Sequence, residues 1–177
     1  MLMKDKVSRI NNEFYKNFPE IYLKPSKVNK FLKKYTNEVE KEIKNKFLQL
    51  KLDKNFVIYA NGGFGRKEIF PISDIDISIV EKNKPKDFKH LEEFISFLWD
   101  QGYKVGHSVR TISDIKKISK SDLKEYTSYL TRRPIISTNE MDKKINYALS
   151  TLWTKNNFYN ANMLSNNSVI VNFFYSL

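Results

Sequence analysis

The stretch Asn61-Gly62-Gly63-Phe64-Gly65-Arg66-Lys67-Glu68-Ile69-Phe70-Pro71-Ile72-Ser73-Asp74-Ile75-Asp76-Ile77 decides how this chain is read. Its left end is a turn signal that stops a short β-prone run, Phe56-Val57-Ile58-Tyr59-Ala60. Its right end opens a strict alternation in which Ile75, Ile77 and Ile79 point one way while Asp74, Asp76 and Ser78 point the other. Two strands joined by a glycine-rich loop are expected. Gly62 and Gly63 let backbone N–H groups approach phosphate oxygens without a Cβ in the way. Asp74 and Asp76, two residues apart on one strand, aim both carboxylates at the same side. Hard oxygen ligands so placed suit Mg²⁺, which shares its remaining coordination with water and substrate phosphate. Arg66 can pair with a phosphate, and Ser73 stands beside the carboxylates as a further nucleotide-binding candidate. Taken singly, Gly-Gly is usually a plain turn and Asp-x-Asp a solvated edge. The combination carries the signal, because two like charges aimed the same way repel unless something neutralises them.

Outward from this centre, a helix is expected from Ser26, capped by that serine, with Val28, Phe31, Leu32, Tyr35, Val39, Ile43 and Phe47 at helical spacing. Before it, Val7, Ile10, Phe14 and Phe18 suggest a shorter helix ending at Pro19. Phe88, Leu91, Phe94, Ile95, Leu98 and Trp99 form a helical stripe that stops near Gly102. Tyr103 to Val109 reads as a third strand. Helices are expected over Ile112–Ile118, Leu123–Leu130 and Met141–Trp153, punctuated by Pro134, and the asparagine-rich tail before Val169–Tyr175 ends in a further strand or a truncated region. This order gives an α+β domain with a small mixed sheet and flanking helices. The expected divisions are an N-terminal helical region (1–50), a core (51–137) and a C-terminal helix and tail (138–177).

Composition narrows the chemistry. The 177 residues are 41% hydrophobic and 29% charged, enough for one domain with a real core. There is no cysteine, which excludes disulfides and thiolate metal sites, and His90 and His107 are the only histidines. No segment has the apolar run of a signal peptide or a membrane span, so the cytoplasm is the expected location. The net charge is +11. Such an excess suits an anionic partner, but the lysines are scattered and no base-stacking motif accompanies them. Solvated helix faces account for it, and a nucleic-acid partner is not expected.

The block Gly62–Val80 resembles the signature of bacterial bifunctional PII-protein uridylyltransferase/uridylyl-removing enzymes, whose transferase domain is of the DNA polymerase β-like superfamily. Leu98–Thr111 resembles that family's next motif, and Ser121–Ile135 more loosely the segment after it. The resemblance implies a polymerase β-like nucleotidyltransferase that moves UMP from UTP to a tyrosine of a PII-type signalling protein. It implies Gly62 and Gly63 at the triphosphate and Asp74 and Asp76 as catalytic Mg²⁺ ligands. The strand Val105–Arg110 has no acid where many superfamily members carry a third carboxylate. His107 is a candidate base there, with a structural histidine as the alternative, and Arg110 a partner for phosphate or aspartate. Lys67 stands where the family commonly has a small residue, adding a positive charge near the phosphates. No His-Asp pair follows Ser137, so the uridylyl-removing chemistry is not expected. Two alternatives remain: a minimal nucleotidyltransferase acting on RNA, protein or a small molecule with AMP, and a truncated domain that binds nucleotide or PII without turnover.

Overall fold

The strand Phe56–Ala60 (β1) is buried along its whole length, which only a central strand covered on both faces can be. In the computed structural model it lies inside a four-stranded sheet of order β3-β2-β1-β4, with β2 Ile75–Glu81, β3 Val105–Arg110 and β4 Arg133–Ile136. The structure describes residues 24–121 and 123–150, together with Asn12, Tyr15 and Lys16. Apart from Asn12, Tyr15 and Lys16, the expected helix over Val7–Phe18 lies outside the described residues, as do the end of the last helix beyond Ser150 and the tail strand. β1 pairs antiparallel with β2 and β4, whereas β2 and β3 run parallel. A parallel pair needs a crossover, and helix Lys89–Asp100 supplies it. The result is the expected α+β class with a small mixed sheet and flanking helices.

The helices, in chain order, are α1 Pro25–Gln49, the one-turn α2 Gly62–Gly65, the crossover α3 Lys89–Asp100, α4 Ile112–Ser121, α5 Leu123–Leu130 and α6 Asn139–Ser150. On one face of the sheet, Leu32, Tyr35, Val39, Ile43 and Phe47 of α1 are buried at the expected spacing. Tyr35, Val39, Ile43 and Phe47 share a core with Ile58, Ile77 and Ile79 and with Leu91, Phe94, Ile95 and Leu98 of α3. The rings of Phe47 and Phe94 meet edge to face at 5.3 Å. On the other face Val57, Tyr59 and Val80 pack with Ile115, Tyr126, Tyr129, Met141 and Ile145 of α4, α5 and α6. Tyr59 spans this layer: its hydroxyl lies 2.6 Å from Ser137 Oγ and donates to Asp142 Oδ1 at 2.7 Å, holding the start of α6 to the central strand. Burial pushes the Tyr59 phenol well above its ordinary pKa, so it stays a donor.

Four details depart from the sequence expectation. α1 starts at Pro25, which fits the first helical position because its missing N–H would have no acceptor there; Ser26 makes no cap. Trp99 and Phe88, the ends of the expected α3 stripe, are exposed, although Phe88 still meets the Phe56 ring at 6.2 Å. The third strand begins at Val105, after Gly102 ends α3 with φ +82°. Pro134 does not merely punctuate helices: it lies within β4, an edge strand, where a residue without an N–H costs no ladder bond on the open side.

Candidate functional site

Asn61 ends β1 and starts the glycine segment. Its N–H donates to Asp76 O at 2.9 Å, and its carbonyl accepts from Gly65 N at 2.8 Å, closing the single turn α2. The expected loop is therefore a helical turn. Gly62 adopts φ +52°, a conformation that favours glycine, and a Cβ there would lie 3.2 Å from Asp76 Oδ2. The turn's internal bonds begin at Gly65, so the amides of Gly62 and Gly63 have no acceptor inside it. Gly65 is fixed by space: a Cβ would stand 2.9 Å from Ala60 O and 3.1 Å from Thr131 O, both backbone atoms that cannot step aside.

The carboxylate of Asp76 lies in a notch between two glycines. A Cβ on Gly106, its register partner on β3, would come within 2.5 Å of Asp76 Oδ1. Asp76 is nonetheless exposed, and so is Asp74, which immediately precedes β2 and whose neighbour Ile75 starts the ladder by donating to Lys104 O at 2.7 Å. Behind Asp76 on the same face lies a buried polar row. The Asn61 side-chain amide donates to Ser78 Oγ, and Ser108 Oγ donates to Ser78 Oγ at 3.4 Å. Tyr129 of α5 stands beside this row; burial raises its phenol pKa, and the neighbouring Ser108 and Ser78 hydroxyls oppose that shift. Among the described residues no group of three or more His, Asp or Glu is placed to hold a metal. Any ion at the carboxylates must complete its shell with water and phosphate oxygens.

The other sequence candidates are distributed as follows. Arg66 Nε donates to Glu68 Oε2 at 2.9 Å, both side chains more than half exposed, so this surface pair holds the arginine weakly. Ser73 closes the turn before Asp74, its Oγ accepting from Phe70 N at 3.2 Å. Arg110 registers with Val80 on the Asp76 face and donates to Glu125 Oε1 at 3.1 Å. His107 registers with Ile77, on the opposite face, where its ring meets Trp99 edge-on at 6.0 Å. Strand alternation separates it from the carboxylates. Lys67, in the left-handed region with φ +62°, sends its ammonium to Asn37 of α1 at 3.0 Å.

Sequence reasoning passed over Gly65, Gly106 and Arg133. Gly106 carried a signal, since an isolated glycine within a strand pattern marks a close approach. Arg133 carried none: its guanidinium donates to Gly65 O at 2.9 Å and Phe64 O at 3.2 Å, across 68 residues of chain.

No protein-family model matches the chain. A solved toxin-antitoxin crystal structure with AMP-PNP is 16% identical with a TM-score of 0.41, covering 74% of this chain and 98% of that one. Among curated proteins, the bifunctional uridylyltransferase/uridylyl-removing enzyme of Acinetobacter baylyi is 37% identical over 109 residues, 60% of this chain and 12% of that protein. That of Haemophilus influenzae strain PittEE is 36% identical over 113 residues, 59% of this chain and again 12% of the relative. The chain thus matches about an eighth of these relatives' length, and over that part it is similar to bifunctional uridylyltransferase/uridylyl-removing enzymes, as its motifs indicated.

Proposed function

We propose that the chain is a Mg²⁺-dependent nucleotidyltransferase that moves UMP from UTP to a tyrosine of a PII-type signalling protein. The observation that carries this reading is the juxtaposition of the Gly62–Gly65 turn with the Asp76 carboxylate, which occupies the space that side chains at Gly62 and Gly106 would fill. Two glycines kept clear for a carboxylate serve no packing purpose, whereas an exposed carboxylate beside unpaired backbone amides suits a metal–triphosphate complex. The residues fit the metal: Asp74 and Asp76 offer hard carboxylate oxygens on exposed side chains.

In this reading Asp74 and Asp76 hold Mg²⁺, which neutralises charge on the triphosphate when bound. Gly62 and Gly63 present their amides to phosphate oxygens, and Ser73 fixes the turn that delivers Asp74. Arg66 is released from its exposed pair with Glu68 at low cost to meet a phosphate. Arg110, partnered by Glu125 farther along the same face, is the further candidate for a phosphate contact. The acceptor oxygen bonds to the α-phosphorus, the bond to pyrophosphate breaks, and the phenolic proton passes to solvent. Burial of the polar row behind Asp76 keeps the turn and the strand in register while this happens.

Titration calorimetry with UTP and Mg²⁺ tests the reading on wild-type protein and on the Asp74→Ala/Asp76→Ala variant. Metal-dependent binding in the wild type, weakened at least about 100-fold in the variant, is expected, together with transfer of labelled UMP to PII protein. Equal binding by both proteins would sink the proposal, and preference for another triphosphate would redirect its substrate.

A further inference from the structure

A helix of one turn has no stripe to bury and cannot hold its own shape. The Gly62–Gly65 turn must therefore be fixed by its neighbours, and the most heavily engaged of these is Arg133. This side chain, about a quarter exposed, bridges three elements. From β4, where it registers with Ala60, its Nε donates to Gly65 O at 2.9 Å and its Nη2 to Phe64 O at 3.2 Å. The same Nη2 lies 2.8 Å from Glu40 Oε2 of α1, whose side chain is about one-fifth exposed. α1 also holds the segment after the turn, through Asn37 to Lys67 and through the Tyr35 hydroxyl to Pro71 O at 3.3 Å.

We propose that Arg133 is a positioning residue for nucleotide binding, tying the far end of the glycine turn to Glu40 so that the Gly62 and Gly63 amides stay at a set distance from Asp76. This rests on the nucleotidyl-transfer reading above. The chemistry suits arginine and not lysine: a planar fork with fixed donor directions serves two carbonyls while its charge faces the Glu40 carboxylate, whereas an ammonium is a point charge. The arrangement has little slack, because even a Cβ at Gly65 would crowd Ala60 O and Thr131 O, and one at Gly62 would crowd the Asp76 carboxylate. A tilt at the Phe64–Gly65 end passes directly to the amides at the other.

Arg133→Met, Arg133→Lys and Glu40→Gln test this in the full chain by Mg·UTP titration, thermal melting and hydrogen exchange at the Gly65 and Arg66 amides. Arg133→Met is expected to raise the Kd for Mg·UTP about tenfold or more and to speed exchange in the turn while the protein remains folded. Arg133→Lys restores the charge but only part of the fork and falls between; Glu40→Gln shifts the Kd in the same direction by less. Where Arg133→Met lowers the melting point too far for titration, Arg133→Lys and Glu40→Gln carry the comparison. Unchanged exchange and unchanged Kd in folded variants overturn the positioning role. A wild-type chain that binds no Mg·UTP overturns the transferase reading itself, a failure visible before any variant is made.

Discussion

Strand β2 divides the molecule into two unlike halves. Toward α1 and α3 it sends Ile75, Ile77 and Ile79, none more than 2% exposed; toward α4, α5 and α6 it sends Val80, Ser78 and Asp76. The first face is the same at every position. The second grades along its length, from buried apolar Val80 through buried, hydrogen-bonded Ser78 to exposed Asp76. One face is therefore apolar throughout and free of chemistry, while the other gives up apolar contact toward one end to place a carboxylate beside the glycine turn. His107 lies on the first face and the glycines facing Asp76 on the second, so the division also separates the sequence candidates.

The largest effect expected from this division is on the apolar face. Phe94 is fully buried and meets Phe47 edge-on. Phe94→Ala leaves a cavity and should cost about 3–5 kcal/mol of unfolding free energy, read from a urea midpoint that falls with little change in slope. Nucleotide affinity, measured below the unfolding transition, should stay near wild type. A stable variant with lost affinity would show that the two faces are not separable.

Gly106→Ala sharpens the other side of the comparison. The added methyl would stand 2.5 Å from Asp76 Oδ1, so the carboxylate must swing out of its notch. Stability should change by less than about 1 kcal/mol, because alanine in a strand regains some of what glycine loses in backbone entropy. Affinity for Mg·UTP should fall about 10- to 100-fold, since small displacements of a positioned group are costly. Intact affinity would mean that the notch does not set the geometry of the site.

The same contrast explains how much the sequence disclosed. The apolar face is periodic, and periodicity is local: Ile75, Ile77 and Ile79 and the Leu32-to-Phe47 stripe of α1 could be read directly. Asp74, Asp76 and the paired glycines were legible because their chemistry is unusual at that spacing. The partners that hold them are long-range. Arg133 reaches the glycine turn from 68 residues away, and β4 exists as a strand only because β1 offers it an edge. Pro134, a breaker by local rules, is accommodated there. His107 looked close to the carboxylates in sequence order, yet strand alternation turns its side chain away from the face on which Asp76 stands.

Lys67→Gly is expected to have the smallest effect, and it bears on a residue where local chemistry and tertiary placement disagree. By sequence, Lys67 adds positive charge near the phosphates; in the fold its ammonium is tied to Asn37 of α1, behind the turn. Its φ of +62° is a conformation that costs an ordinary residue roughly 1–2 kcal/mol and glycine almost nothing. Against that relief stand a lost exposed hydrogen bond and glycine's greater freedom when unfolded, each about 0.5–1 kcal/mol. The terms nearly cancel, and the midpoint of urea unfolding should move little. Affinity for Mg·UTP should change less than about twofold, because in the fold the ammonium is directed to Asn37 of α1 and not to the glycine turn. A tenfold loss would place the lysine at the phosphates during binding and would make the α1 side of the glycine segment part of the site.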